Sequence, residues 1–203
     1  MEISLSRQLE NNLTKTLLNN LLQNDEQVIL LREDETFQLS RTAAIQFSVV
    51  MKNSLEKAPQ GVSPKVDVSE FGEHTIQHFV QYLHGNGEAV VFLDWREMIN
   101  LYKISFKFQV KLVIDLMIEK GKNLISKDNI YEAIIIIDSH DINEWLDCCC
   151  SVLLANKDLM KTKEWEDLIE TNPKTMARLF QLYFTKSNNG WPILQSPRKS
   201  PQK

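Results

Sequence analysis

The chain has 203 residues, 43% of them apolar and 25% charged, ordinary values that exclude wholesale disorder, a collagen repeat and a disulfide-dense scaffold. The net charge is −4, but residues 186–203 hold Lys186, Arg198, Lys199 and Lys203 and no acid, so +4 there leaves −8 for the rest. An acidic body argues against a surface that wraps nucleic acid, and no apolar run approaches the ~18 residues of a membrane helix.

The start, Met1-Glu-Ile-Ser4, has neither a basic leader nor an apolar signal core, so a soluble protein of the cytoplasm or nucleus is expected. The leading segment places Leu5, Leu9, Leu13, Leu17 and Leu21 four apart, with Leu18 and Leu22 beside the last two. Four-residue steps drift by about 40° each on an α-helix, so the stripe broadens along the helix. A heptad seam would stay narrow. Such a leucine face must bury against its own core or another subunit.

Two short strands follow, 27–31 and 36–39, around the polar turn Arg32-Glu-Asp-Glu35. Ser40 is placed to cap a helix over 41–47, and a second short helix covers 48–56. Residues 65–68 alternate as a third strand, and Ile76, Phe79, Val80 and Leu83 have amphipathic helical spacing. That helix ends at Gly85-Asn-Gly87. A fourth strand is expected over 89–93, then helix from Trp95.

The back half reads as helical. Leu112, Val113, Ile114, Leu116, Met117 and Ile118 predict a helix buried on several sides. The run from Ile134 to Ile137 is β-branched and locally favours strand. The Ile130, Ile134, Ile137 spacing and the lack of a turn signal before Asp138 favour a buried helix instead, started by Ser126 or Asp128. Asn172-Pro173 is a cap with proline at the first helical position, opening a helix whose face is Met176, Leu179, Phe180 and Tyr183. The resulting division is a leading helix at 1–24, a mixed core at 25–125, further helices at 126–186 and a disordered basic tail at 187–203.

Motifs for chemistry are sparse. Cys148, Cys149 and Cys150 point about 100° apart on a helix, so they form no disulfide framework. No second cluster completes a zinc site, and small buried side chains in a reducing compartment are expected. His74 and His78 share a helical face, but Thr75 stands where a zincin has glutamate, and a solvent face is expected. Asp138-Ser-His-Asp141 holds the letters of a hydrolase triad, yet sequence neighbours cannot point at each other as a relay must. The six glycines form no phosphate loop. The chain is therefore read as a non-enzyme without cofactor or metal.

The order of elements resembles the BTB/POZ family, an α+β fold in which a small sheet is flanked by helices, here followed by an all-helical, BACK-like extension. The matching residues are Val28-Ile-Leu-Leu-Arg32, Phe37-Gln-Leu-Ser-Arg41, Ser48-Val-Val-Met-Lys-Asn-Ser-Leu-Glu56, Val66-Asp-Val68, Phe79-Val-Gln-Tyr-Leu-His-Gly85 and Ile104-Ser-Phe-Lys-Phe-Gln-Val110. Asn129-Ile-Tyr-Glu-Ala133 through Asp138-Ser-His140 is similar to a turn between BACK helices. Trp165-Glu-Asp-Leu168 with Asn172-Pro173 looks like the close of the shortened extension of MATH–BTB adaptors.

The resemblance implies a protein–protein interaction module: a homodimeric adaptor or regulatory subunit of a cullin–RING ubiquitin ligase. The dimer would form through Leu5, Leu9, Leu13, Leu17 and Leu21. The cullin-facing surface would draw on Leu55, Glu56, Phe106 and Phe108, with Lys107 and Lys111 as a polar rim. Core packing is the competing reading, equal for Phe108 and favoured for Phe106. Three family features are missing: Ser40 replaces a histidine, the first hairpin has no glycine, and Lys57 stands where cullin binders carry glutamate. The alternative is a BTB dimer acting as a nuclear or chromatin scaffold without a cullin. In the tail, Ser196-Pro-Arg-Lys199 and Ser200-Pro-Gln-Lys203 match a proline-directed kinase pattern at Ser196 and Ser200, and phosphates there would cancel most of the tail's charge.

Overall fold

The computed structural model describes residues 26–58, 63–85 and 94–188. The leading helix, the strand expected at 89–93 and the tail from 189 lie outside the described residues. The fold is α+β, and the chain divides after Lys120 into two compact units.

The first unit holds the sheet. Strand β1 (Gln27–Arg32) pairs antiparallel with β2 (Glu35–Ser40), Ile29 opposite Gln38, and parallel with β3 (Lys65–Asp67), giving the order β2-β1-β3. Alternation sends Val28, Leu30 and Leu39 inward, each fully buried. The turn without glycine works because Glu33 itself adopts the left-handed conformation (φ 51°).

Two short helices follow, each opened by a serine. Ser40 Oγ accepts from the Ala43 amide at the start of α1 (Arg41–Phe47), as expected. Ser48 Oγ accepts from the Met51 amide at the start of α2 (Val49–Leu55). Helix α3 (Glu73–Leu83) buries Ile76, Phe79 and Leu83, then Gly85 turns the chain at φ 76°. Helix α4 (Trp95–Lys107) starts on a capping box made by Asp94 and Glu97.

Helix α4 stops without glycine. Gln109 is left-handed (φ 51°), its amide donates to the Phe106 carbonyl, and the Val110 amide donates to the Ser105 carbonyl. That is a Schellman ending, and Val110 is fully buried beside it. Helix α5 (Lys111–Leu124) follows and spans the boundary between the units. Here the sequence reading needs correction: Leu112 is 64% and Leu116 37% exposed. Val113 and Met117, four apart, form the buried stripe, so three consecutive apolar residues necessarily leave some on the outer face.

The second unit is helical throughout its described residues. It comprises α6 (Ile130–His140), a 3₁₀ turn (Asn143–Trp145), α7 (Leu146–Ala155), a 3₁₀ turn (Lys157–Lys161), α8 (Lys163–Thr171) and α9 (Pro173–Asn188). The β-branched run is helix, because Ile130, Ile134, Ile136 and Ile137 bury on one side and only Ile135 faces out. Its start differs from expectation. Asn129 occupies the cap position, but its side chain accepts from the Ser126 amide and donates to the Leu124 carbonyl, closing the preceding turn. Pro173 opens α9 as predicted, with Met176 and Leu179 buried. Trp145 is fully buried, and Gly121 makes room for it: a Cβ there would stand 2.7 Å from the indole Cε2.

Candidate interaction surface

The Schellman ending of α4 sorts its aromatic residues. Phe108 is 3% exposed and packs on Phe79, with ring centroids 5.8 Å apart. It is a core residue and cannot face a partner. Phe106, for which core packing was favoured, is 46% exposed and stacks on Tyr102 at 5.9 Å. The helical period explains the exchange. Phe106 lies on the outer side of α4, while the left-handed turn begins directly after Phe108 and tucks that ring inward.

Lys107 is not a free rim cation. Its ammonium pairs with Glu70 and lies 5.6 Å from the Phe71 ring centroid and 5.4 Å from that of Phe108. It clamps the end of α4 onto the segment after β3. Lys111, mostly exposed, pairs with Asp115 one turn along α5. Of the other two candidates, Leu55 is 1% exposed and belongs to the core, and Glu56 is exposed at the C-cap of α2. Leu5, Leu9, Leu13, Leu17, Leu21, Ser196 and Ser200 lie outside the described residues.

Among the described residues of the first unit, the exposed large apolar side chains are therefore Val49 on α2, Phe106 on α4, and Leu112 and Leu116 on α5. Leu112 and Leu116 are one turn apart and share a face. Sequence reasoning missed this pair by treating the whole apolar run as buried. The four-residue spacing was the available signal.

Four further polar residues, Arg41, His84, Asp138 and Asp141, make contacts that hold the fold together. The guanidinium of Arg41 donates to the Leu55 carbonyl at 3.1 Å and pairs with Glu26 at 3.2 Å, tying α1 to the end of α2 and the start of β1. The half-buried His84 imidazole accepts from the Ser40 amide at 3.2 Å, and burial lowers its pKa from 6.5. No sequence signal linked these two residues. Asp138 accepts from the Thr175 hydroxyl at 2.6 Å, which holds its carboxyl below the usual range, and Asp141 pairs with Arg178. Both acids of the triad-like stretch are thus engaged with α9.

Cys149 and Cys150 are buried and Cys148 partly so. Burial pushes the Cys149 thiol up to about 12, so it is not a nucleophile at neutral pH. His74 is exposed and His78 half-exposed, and no metal-holding cluster exists among the described residues.

No family model matches the chain. Among curated proteins it is similar to a BTB/POZ domain-containing protein of Arabidopsis thaliana, 25% identical over 144 residues, which are 70% of this chain and 57% of that protein. The chain thus spans less than two thirds of the relative's length. Together with the α+β fold, this likeness supports the BTB/POZ family for the chain.

Proposed function

We propose that the chain is a protein–protein interaction module, working as a homodimeric adaptor or regulatory subunit of a cullin–RING ubiquitin ligase. It forms no covalent bond with ubiquitin and needs no cofactor. The observation that carries this reading is the set of large apolar side chains left in solvent on α4 and α5: Phe106, Leu112 and Leu116. Exposed apolar patches mark partner surfaces, and aromatic residues dominate their energetics. Helices α6–α9 act as the BACK-like extension. The leucine stripe at 5–21 and the 41–56 helices, from which Val49 protrudes 56% exposed, form the dimer face. Ser196 and Ser200 are the phosphorylation sites, and the protein works in the cytoplasm, the nucleus or both.

Lys57, in place of the glutamate expected of cullin binders, favours a second reading: the same dimer as a nuclear or chromatin scaffold without a cullin. A pull-down with a purified cullin amino-terminal domain separates the two. The ligase reading expects micromolar binding that Phe106→Ala with Leu112→Asp weakens at least about tenfold, a loss of about 1.4 kcal/mol. Those side chains are exposed, so the fold survives the change. No detectable binding at micromolar concentration rejects the ligase reading.

A further inference from the structure

The helical hairpin α8–α9 carries a row of aromatic rings that runs out into solvent. Trp165, on α8, is 3% exposed and meets Phe180 edge-on at 5.8 Å. Phe180 stacks on Phe184 at 6.3 Å, and Tyr183 meets Phe184 edge-on at 5.8 Å. Phe184 ends the row 58% exposed. On the same helix, Lys186 reaches the other way, pairing with Asp147 on α7. One side of the α9 end is thus fastened, while the ring on the other side is uncovered.

The chain beyond α9 supplies a fitting cover. Asn189-Gly190 allows a reversal, and Trp191, Ile193 and Leu194 are the apolar residues of the last fifteen, 189–203. Trp191 lies three residues past Asn188, a reach of roughly 10 Å. Phe184 lies four residues before that helix end, about 6 Å along the axis. The lengths therefore close if the chain doubles back.

Charge points the same way. Helix α8 carries Glu164, Glu166, Asp167 and Glu170, all exposed, against Lys163, a net of −3. Residues 189–203 carry Arg198, Lys199 and Lys203 and no acid, a net of +3. From Leu194 to Arg198 is four residues, roughly 13 Å of extended chain, and packed helix axes are about 8–10 Å apart. The basic run can thus cross from α9 to the acidic face of α8.

We propose that residues 191–199 dock back on the α8–α9 hairpin of the same chain, Trp191 stacking on Phe184 and Arg198 and Lys199 facing Glu164, Glu166 and Asp167. The inference stands apart from the cullin reading. Docking masks the apolar residues of the tail, and charge changes at Ser196 and Ser200 release it.

The test uses the full chain labelled with 5-fluorotryptophan. The chain has four tryptophans, and Trp191→Phe identifies the Trp191 resonance. The expected result is a Trp191 signal sheltered from solvent that moves to the exposed position in Phe184→Ser. Trypsin should cut after Arg198 and Lys199 about tenfold more slowly in the parent than in Phe184→Ser, as an opening equilibrium of about ten requires. Trp191→Ser, which changes only the tail, should speed that cleavage equally. Replacing Glu164, Glu166 and Asp167 by their amides should speed it in low salt and have little effect in high salt. A Trp191 signal already exposed in the parent, or one indifferent to Phe184→Ser, overturns the proposal. So does shelter that rises with concentration alongside a doubled mass, since a second copy is then the occupant.

Discussion

At the level of single residues, three positions take their behaviour from what packs around them. His84 is neutral in the folded protein because its Nε2 accepts from the Ser40 amide and burial disfavours the cation. As pH falls through the ordinary histidine value of about 6.5, the unfolded chain takes up a proton there that the folded chain refuses. His84 therefore contributes stability above that pH and loses it below. Urea unfolding at pH values either side of this window should show a loss on acidification that His84→Gln reduces, since glutamine still accepts and does not titrate. An equal loss in both proteins would remove His84 as the cause. Gly121 is the second case. Alanine in place of a helical glycine normally gains up to about 1 kcal/mol. Here its Cβ would press into the buried Trp145 ring, and overpacking costs about 1–3 kcal/mol. Gly121→Ala should lower the urea midpoint, and adding Trp145→Leu should recover the difference between the two backgrounds. Cys149 is the third. Its buried thiol, pushed up to about 12, should resist iodoacetamide in the native protein and react once urea unfolds the chain, as mass spectrometry of the Cys149 peptide would show. Sequence reasoning placed the cysteines correctly as small packed residues, because apolar helical context sufficed. It could not see Gly121 against Trp145, or His84 against Ser40, because both pairings depend on how elements pack.

Among the elements, local chemistry was the most readable. Ser40, Asn172-Pro173 and the Gly85 turn announced their helix ends, since caps are decided within four residues. The β1–β2 turn was legible from the polar run Arg32–Glu35, but not the left-handed conformation of Glu33, and the α4 stop had no signature in composition, because Gln109 turns left-handed without being glycine. The second omission mattered most for the candidate surface, because the α4 stop decides that Phe108 is core and Phe106 is surface. Ser48 ties that stop to α2. Its hydroxyl accepts from the Met51 amide and donates to the Phe108 carbonyl at 2.6 Å, both inside the core. Ser48→Ala removes a cap worth about 1 kcal/mol and leaves a buried carbonyl unmatched, a further ~1–3 kcal/mol. Ser40→Ala loses its cap while its own amide stays bonded to His84. The Ser48 variant should thus be the less stable of the two by equilibrium unfolding. Equal losses would show that the bond to Phe108 carries no net weight.

For the whole molecule, the order of elements carried the family resemblance while no single motif did, because the fold is specified by alternating strand and helix periods along the chain. What that order leaves open is how the chain assembles. Leucines at 5–21 recur every four residues, and read as a helix that spacing expects an apolar stripe in need of a partner surface. In the described structure the 41–56 helices keep Ala43, Ala44, Met51 and Leu55 for their own core and leave Val49 outside. Val49 is then the most exposed large apolar side chain that this pair can offer to a second copy. In a symmetric dimer each copy supplies both surfaces, so a single change acts twice. Burying an unpaired carboxylate costs at least about 3 kcal/mol, roughly a hundredfold in association. Leu9→Asp with Leu13→Asp should therefore convert a two-copy species into monomer or aggregate by light scattering. Val49→Asp, exposed in the single chain, should weaken association and leave the monomer folded. A well-folded dimer that tolerates all three changes would move the interface away from the leucine stripe and α2.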